Sequence, residues 1–192
     1  MAIPFERLGW LFVRWGHRVY PKWARPALEQ WLDRLPPGSR VIDLGGGTGV
    51  LTNWALSRRG DLEYMVVDVA PGMMAHVPAG VNKLVASAEE LPFADASIDA
   101  VMMGEALHHF TNSDRALQEI TRVLRPGGRL WVYEFDPASG VGRWVYWGEK
   151  LLGEPASFYR PGELAARLGE LGFEAEYECR KGQYVLTATR LA

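Results

Sequence analysis

Val41-Ile42-Asp43-Leu44-Gly45-Gly46-Gly47-Thr48-Gly49 is the stretch that decides the fold. A short apolar run carrying one acid leads into a turn dominated by glycine. A buried strand that ends on such a turn brings it to the carboxyl edge of a parallel sheet, where open α/β folds bind their ligands. Glycine lets the backbone bend sharply and approach a ligand with no Cβ in between. A helix expected over 50–59 follows at once, and its first N–H groups lack partners inside the helix.

Working outward, strands and helices alternate. A second strand is expected over 62–69, rich in valine and carrying Asp68 near its end. A short helix over 71–77 is stopped by Pro78, and a third strand follows over 81–86. The fourth strand, 98–103, is entered through a turn at 94–97. Ser113 or Asp114 is positioned to cap a helix running to Leu124. Pro126-Gly127-Gly128 makes a sharp turn before a fifth strand at 130–135. Residues 136–160 read as an irregular, aromatic-rich insertion. Pro161 opens a helix that Gly172 ends, and 173–179 and 183–189 form a hairpin around Lys181-Gly182. Alternation of this kind predicts a doubly wound parallel sheet with helices on both faces, and the hairpin adds an antiparallel strand.

Upstream of the glycine turn, 5–34 has helical periodicity, with Leu8, Leu11, Phe12, Trp15 and Val19 on one stripe. Pro21 breaks this region, Pro26 is a second candidate break, and Pro36-Pro37-Gly38 closes it. Four of the eight tryptophans (Trp10, Trp15, Trp23 and Trp31) lie here. They suit either a helix packed on the core or a lid over an apolar ligand. We therefore expect a single domain over 1–192. Its parts are an N-terminal helical lid (1–37), a cofactor-binding core (38–135), a substrate-cap insertion (136–160) and a C-terminal helix and hairpin (161–192).

Composition narrows the functional classes. The 192 residues carry a formal net charge of −2, which argues against a general nucleic-acid binder. One cysteine, Cys179, excludes a disulfide within the chain and a cysteine-based zinc site, and a reducing cytoplasmic setting fits. In its hairpin strand Cys179 is expected to be core. No metal site is expected. No secretory signal pattern is visible, and Glu6, Arg7, Arg14, His17 and Arg18 interrupt the apolar N-terminus, so no stable membrane insertion is expected. Arg14, Arg18, Lys22 and Arg25 among aromatics resemble an interfacial helix, but a helix packed on its own domain accounts for them better.

Asp68 turns the glycine loop into a cofactor hypothesis. A carboxylate ending the strand after a glycine-rich turn can accept from both ribose hydroxyls of an adenosine. A dinucleotide loop would need glycine or alanine at position 50, where Val50 stands, and Asp43 would repel a pyrophosphate more than a cationic tail.

The spacing Asp43-x-Gly45-x-Gly47-x-Gly49 resembles the first motif of class I S-adenosylmethionine-dependent methyltransferases. Ser87-Ala88-Glu89-Glu90-Leu91-Pro92-Phe93, Ile98-Asp99-Ala100-Val101 and Leu124-Arg125-Pro126-Gly127-Gly128 resemble that family's later segments, in order, over 40–135. The subgroup most similar is the ubiquinone/menaquinone-biosynthesis type of small-molecule methyltransferase. The resemblance implies a Rossmann-like seven-stranded sheet with its last strand antiparallel. It also implies S-adenosylmethionine as cofactor, S-adenosylhomocysteine as product and a small-molecule methyl acceptor.

It implies roles as well. Gly45, Gly47 and Gly49 line the methionine portion and ribose, with Asp43 near the ammonium. Asp68 holds the ribose hydroxyls, Val69 flanks the adenine, and Ala88 offers its N–H to that ring. Gly104 lies near the methionine tail. Ser87 stands where the family often has Asp. Tyr20 could reach cofactor or acceptor.

Within Gly104-Glu105-Ala106-Leu107-His108-His109-Phe110, His108 is the candidate base, against the alternative that it only orders its loop. Glu134 and Asp136 are weaker candidates, read as exposed loop carboxylates. Trp144, Tyr146, Trp147, Phe158 and Tyr159 suggest an aromatic acceptor pocket, with Arg143 and Arg160 as candidate anion readers or plain surface cations. Two other functions stay open: a nicotinamide-dependent oxidoreductase and a non-catalytic cofactor-binding module. So do a monomer and a homodimer.

Overall fold

The computed structural model describes residues 20–152 and 157–192. The expected N-terminal stripe, with Trp10 and Trp15, lies outside the described residues.

Strand β1 (Arg40–Leu44) sits near the middle of a seven-stranded sheet ordered β3-β2-β1-β4-β5-β7-β6. The other strands are β2 (Glu63–Asp68), β3 (Asn82–Val85), β4 (Ile98–Gly104), β5 (Leu124–Phe135), β6 (Phe173–Arg180) and β7 (Gln183–Arg190). The pairs among β1 to β5 are parallel, whereas β7 runs antiparallel to both β5 and β6. From β1 the chain builds β2 and β3 on one side, then crosses back to lay β4 on the other. The ends of β1 and β4 therefore diverge at a switch point, which opens a crevice.

The central strands are buried on both faces, and period-two alternation distributes their side chains. In β4, Ala100 and Met102 join the cluster around Trp31, Leu51 and Trp131, while Val101 and Met103 join the cluster around Leu117, Ile120 and Leu164. The first face is covered by α1 (Ala24–Asp33) and α2 (Val50–Arg58), the second by α4 (Ser113–Val123) and α6 (Pro161–Glu170). A short α3 (Pro71–Met74) and an aromatic α5 (Gly140–Leu152) complete the α-helices among the described residues, and Leu107–His109 makes one 3-10 turn.

Several local expectations are corrected. The cap of α4 is Asn112, whose side chain accepts from the Arg115 amide at 3.0 Å. It outcompetes Ser113, whose hydroxyl instead donates to the Leu107 carbonyl. Residues 140–152, expected to be irregular, form α5, because the helical periodicity of their aromatics outweighs the three glycines. Helix α1 packs on the sheet, with Ala24, Leu28, Trp31 and Leu32 buried. Cys179 is exposed rather than core, because β6 is an edge strand with its second half uncovered. Lys181 and Gly182 both have positive φ, as a two-residue hairpin turn with mirrored geometry requires.

Candidate active site at the sheet switch point

The glycine loop leaves β1 with the Gly45 amide donating to the Val67 carbonyl at 2.8 Å, so the turn starts as an extension of the sheet ladder. Gly45 has φ +68°, and a Cβ on it would lie 2.6 Å from that of Ala106. The loop and the turn after β4 thus touch, and glycine at 45 is what permits the contact.

Asp68 closes the other side of the crevice. Its Oδ2 accepts from the Gly47 amide and its Oδ1 from the Ala70 amide, both at 2.8 Å. Burial raises its pKa above the ordinary carboxylate value, and these backbone bonds offset part of that rise. Each oxygen spends one acceptor position this way, so both can accept again from a hydroxyl pair.

Between the loop, Asp68 and the turn after β4 lies a cavity of about 430 Å³. Of the residues singled out from sequence, Tyr20, Gly45, Gly47, Asp68, Val69, Ser87, Ala88, Gly104 and His108 all border it. Asp43 and Gly49 do not. Gly49 is the cap residue of α2, with φ +75°. Asp43 is buried behind the loop, where its Oδ2 accepts from the Thr52 amide at 3.1 Å and the Thr52 hydroxyl at 2.7 Å. Loss of hydration pushes its pKa up to about 6; the two bonds from Thr52 work against that rise, and the nearby Asp68 charge adds to it.

One side of the cavity is formed by Val69, Ala70, Met73, Ser87, Ala88 and Glu89. Val69 is exposed and Ala88 buried. Ser87 hydrogen-bonds the Glu89 carboxylate, which also accepts from the Asn112 amide. Opposite, the Tyr20 hydroxyl donates to the Gly104 carbonyl at 2.9 Å, with its ring against Trp54 and Tyr133. Burial first, and the charge of Glu105 second, hold the Tyr20 hydroxyl well above its usual pKa, so it stays a donor. Among the described lining residues Asp68, Glu89 and Glu105 are acidic and none is Lys or Arg. Such a wall repels a pyrophosphate and attracts a cationic group. Arg143 and Arg160 are exposed and away from the cavity.

Residues 42–132 match the sequence profile of a methyltransferase domain family. This segment is a methyltransferase domain. Its relatives include a ubiquinone/menaquinone biosynthesis C-methyltransferase of Legionella pneumophila, 35% identical over 62% of this chain and 50% of that protein. An uncharacterized methyltransferase of Mycobacterium tuberculosis is 44% identical over 60% of this chain and 45% of its own length. The chain thus spans about half the length of these curated relatives. The methyltransferase fold extends beyond the matched segment. A Thermotoga maritima structure described as an S-adenosylmethionine-dependent, possible histamine N-methyltransferase superposes with a TM-score of 0.75, at 25% identity over 97% of both chains.

Sequence reading missed Thr52 as the partner of Asp43, and it misjudged Glu134. Glu134 is 2% exposed and holds both the Leu107 amide (3.0 Å) and His108 Nδ1 (2.6 Å). Its signal was available: in β5 it shares the parity of Leu130 and Val132, which face the core. Phe158 stacks on the His108 ring at 4.2 Å and 12°, a contact no local pattern announces.

Proposed function

We propose that the chain transfers the methyl group of S-adenosylmethionine to a small organic acceptor and releases S-adenosylhomocysteine. The observation that carries this is the clasp between the Gly47 amide and the Asp68 carboxylate on the wall of the switch-point cavity. The residues present fit the cofactor. Asp68 keeps acceptor capacity for the ribose hydroxyls, and the Ala88 backbone borders the adenine side. The loop at Gly45, Gly46 and Gly47 presents backbone without side chains to the cavity. The acidic wall suits the cofactor's sulfonium and ammonium charges and disfavours the pyrophosphate of a nicotinamide dinucleotide.

When bound, the cofactor supplies an electrophilic methyl on sulfur. The protein's part is to align an acceptor behind that methyl and exclude water, which can supply on the order of 7–11 kcal/mol of the barrier reduction. Tyr20 and Gly104 flank the methionine side. Val69 and Ser87 flank the adenine, the Ser87 oxygen accepting from its amino group. Asp43 and Gly49 serve from behind the loop by holding the start of α2. His108 is the base for the acceptor's proton. Phe158 and Tyr146, whose rings lie 6.1 Å apart, belong to the acceptor-side cover that we assign to 136–160, with the N-terminal lid of 1–37 as its second part.

An apolar or aromatic acceptor fits the rings of Tyr20, Phe110 and Phe135 along the cavity. We propose a cytoplasmic enzyme, monomeric or homodimeric, without a nucleic-acid partner; the single cysteine and the net charge of −2 support this setting. Among the described residues no helix is long and apolar enough to cross a membrane.

Calorimetric titration tests the reading: S-adenosylhomocysteine binds and NAD does not. Binding of NAD alone would replace it with an oxidoreductase. Binding of S-adenosylhomocysteine without labelled methyl transfer to any fraction of a small-molecule extract would leave a cofactor-binding module.

A further inference from the structure

Resting on that methyltransferase reading, we infer that Glu134 and His108 form a buried general-base dyad, with Glu134 as the positioning residue, and that the acceptor therefore bears a proton that it loses on methylation.

Four observations converge. Glu134 Oε2 meets His108 Nδ1 at 2.6 Å, and the two side chains are each 3% exposed. Glu134 Oε1 accepts from the Leu107 amide at 3.0 Å, so one carboxylate fastens both the backbone and the ring of the Leu107–His109 turn. Phe158 stacks on the imidazole at 4.2 Å and 12°, and the Ser157 amide donates to the His108 carbonyl at 3.0 Å. His108 borders the cavity in which the reacting methyl would lie.

The chemistry follows from the partner. A carboxylate holding two donors is a base at Nδ1, so Nδ1 carries the ring proton and Nε2 carries the lone pair. A buried carboxylate behind an imidazole also stabilises the imidazolium that forms when Nε2 takes a proton. An acceptor X–H then attacks the methyl carbon with its electron pair. The carbon–sulfur pair stays on sulfur, which becomes a neutral thioether, and the proton of X–H passes to Nε2. The acceptor class is a hydroxyl, an amine or an acidic carbon; proton-free nucleophiles such as thioethers and tertiary amines need no such dyad.

Among the described residues, the ionisable groups near the pair include His109, whose ring centroid lies 4.1 Å from that of His108, Glu105 and Tyr20, which border the same cavity, and Tyr133, which the charge of Glu134 reaches. Tyr184 faces Glu134 from β7, and the charges of Glu134 and Asp136 both reach it. None of these stands between Glu134 and Nδ1.

The decisive variant is Glu134→Gln. A Gln side chain can still accept from the Leu107 amide, but it offers N–H to Nδ1 and so inverts the tautomer. In histidine-labelled protein saturated with S-adenosylhomocysteine, nitrogen NMR should show His108 protonated at Nδ1 in the wild type and at Nε2 in E134Q. Labelled methyl transfer into a small-molecule extract should fall about 100-fold in kcat for E134Q, with the KM for the cofactor within about twofold. The acid limb of the pH–rate profile should move with it.

An Nε2–H tautomer in the wild type, or superimposable rates and pH profiles, overturns the dyad. Should E134Q not fold, His108→Gln decides instead, since it keeps a partner for Glu134 but has no ring nitrogen; full turnover in that variant overturns the proposal. Protein that binds no S-adenosylhomocysteine fails the methyltransferase reading itself, whereas protein that binds it with the wrong tautomer fails the dyad alone.

Discussion

Asp68 Oδ2 accepts the backbone amide of Gly47 at 2.8 Å, joining the end of β2 to the loop after β1 across 21 residues of sequence. The carboxylate is thereby oriented before any ribose arrives. Asp68→Ala should weaken S-adenosylhomocysteine binding by about 1.5–3 kcal/mol, the range for a hydrogen bond to a charged group. Calorimetry on the variant checks this, and an unchanged Kd would remove Asp68 from the site.

Asp43 makes stability depend on pH. Its pKa in the folded chain, about 6, lies above the value near 3.9 of an unfolded aspartate. Between those two values the folded state holds a proton that the unfolded state has released, so stability falls as pH rises from about 4 to 6 and stays lower above. The span of roughly two units corresponds to about 3 kcal/mol. Asp43→Asn keeps an oxygen for both Thr52 bonds and abolishes the titration. Urea midpoints measured from pH 4 to 7 should fall less steeply for D43N than for the wild type.

Gly104 admits no side chain. A Cβ there would lie 2.5 Å from Tyr20 Cε1 and 2.7 Å from Leu51 Cδ1. Gly104→Ala should destabilise the fold by about 1–3 kcal/mol through overpacking, and it should displace Tyr20 from the cavity wall. Thermal melts report the first effect and cofactor titration the second.

Two tryptophans should behave in opposite ways. Trp31 is 2% exposed within the α1 face of the sheet, whereas Trp144 on α5 is 84% exposed. Trp31→Ala should cost about 3–5 kcal/mol. Trp144→Ala should stay within about 0.5 kcal/mol of wild type in chemical denaturation while altering turnover, if the α5 side covers the acceptor.

The sheet was legible in the sequence because its strands announce themselves locally. Arg40–Leu44 coincides with the expected first strand, and the other strands differ from expectation mainly at their ends. Alternating strands and helices bounded by glycine and proline leave few topologies, and the hairpin turn at Lys181-Gly182 needs only its own residues. The 136–160 region was misread because glycines at 140, 142 and 148 masked a helical periodicity that the wider chain context stabilises. Asn112 was missed as a cap because three consecutive residues could each serve, and packing chose among them.

What the chain determined by itself is the glycine turn, the acid that ends β2 and the order of elements, all of which follow from backbone stereochemistry and period-two or helical burial over a few residues. What only the tertiary structure decided is which polar groups face the cavity and which stand behind it. Asp43 and Asp68 are both strand carboxylates, yet one is consumed by Thr52 and the other borders the cavity. Glu134 reads as a solvated loop acid until β4 and β5 lie side by side and carry it to His108. Burial and hydrogen-bond partnership are set by neighbours distant in sequence, and no local pattern encodes them.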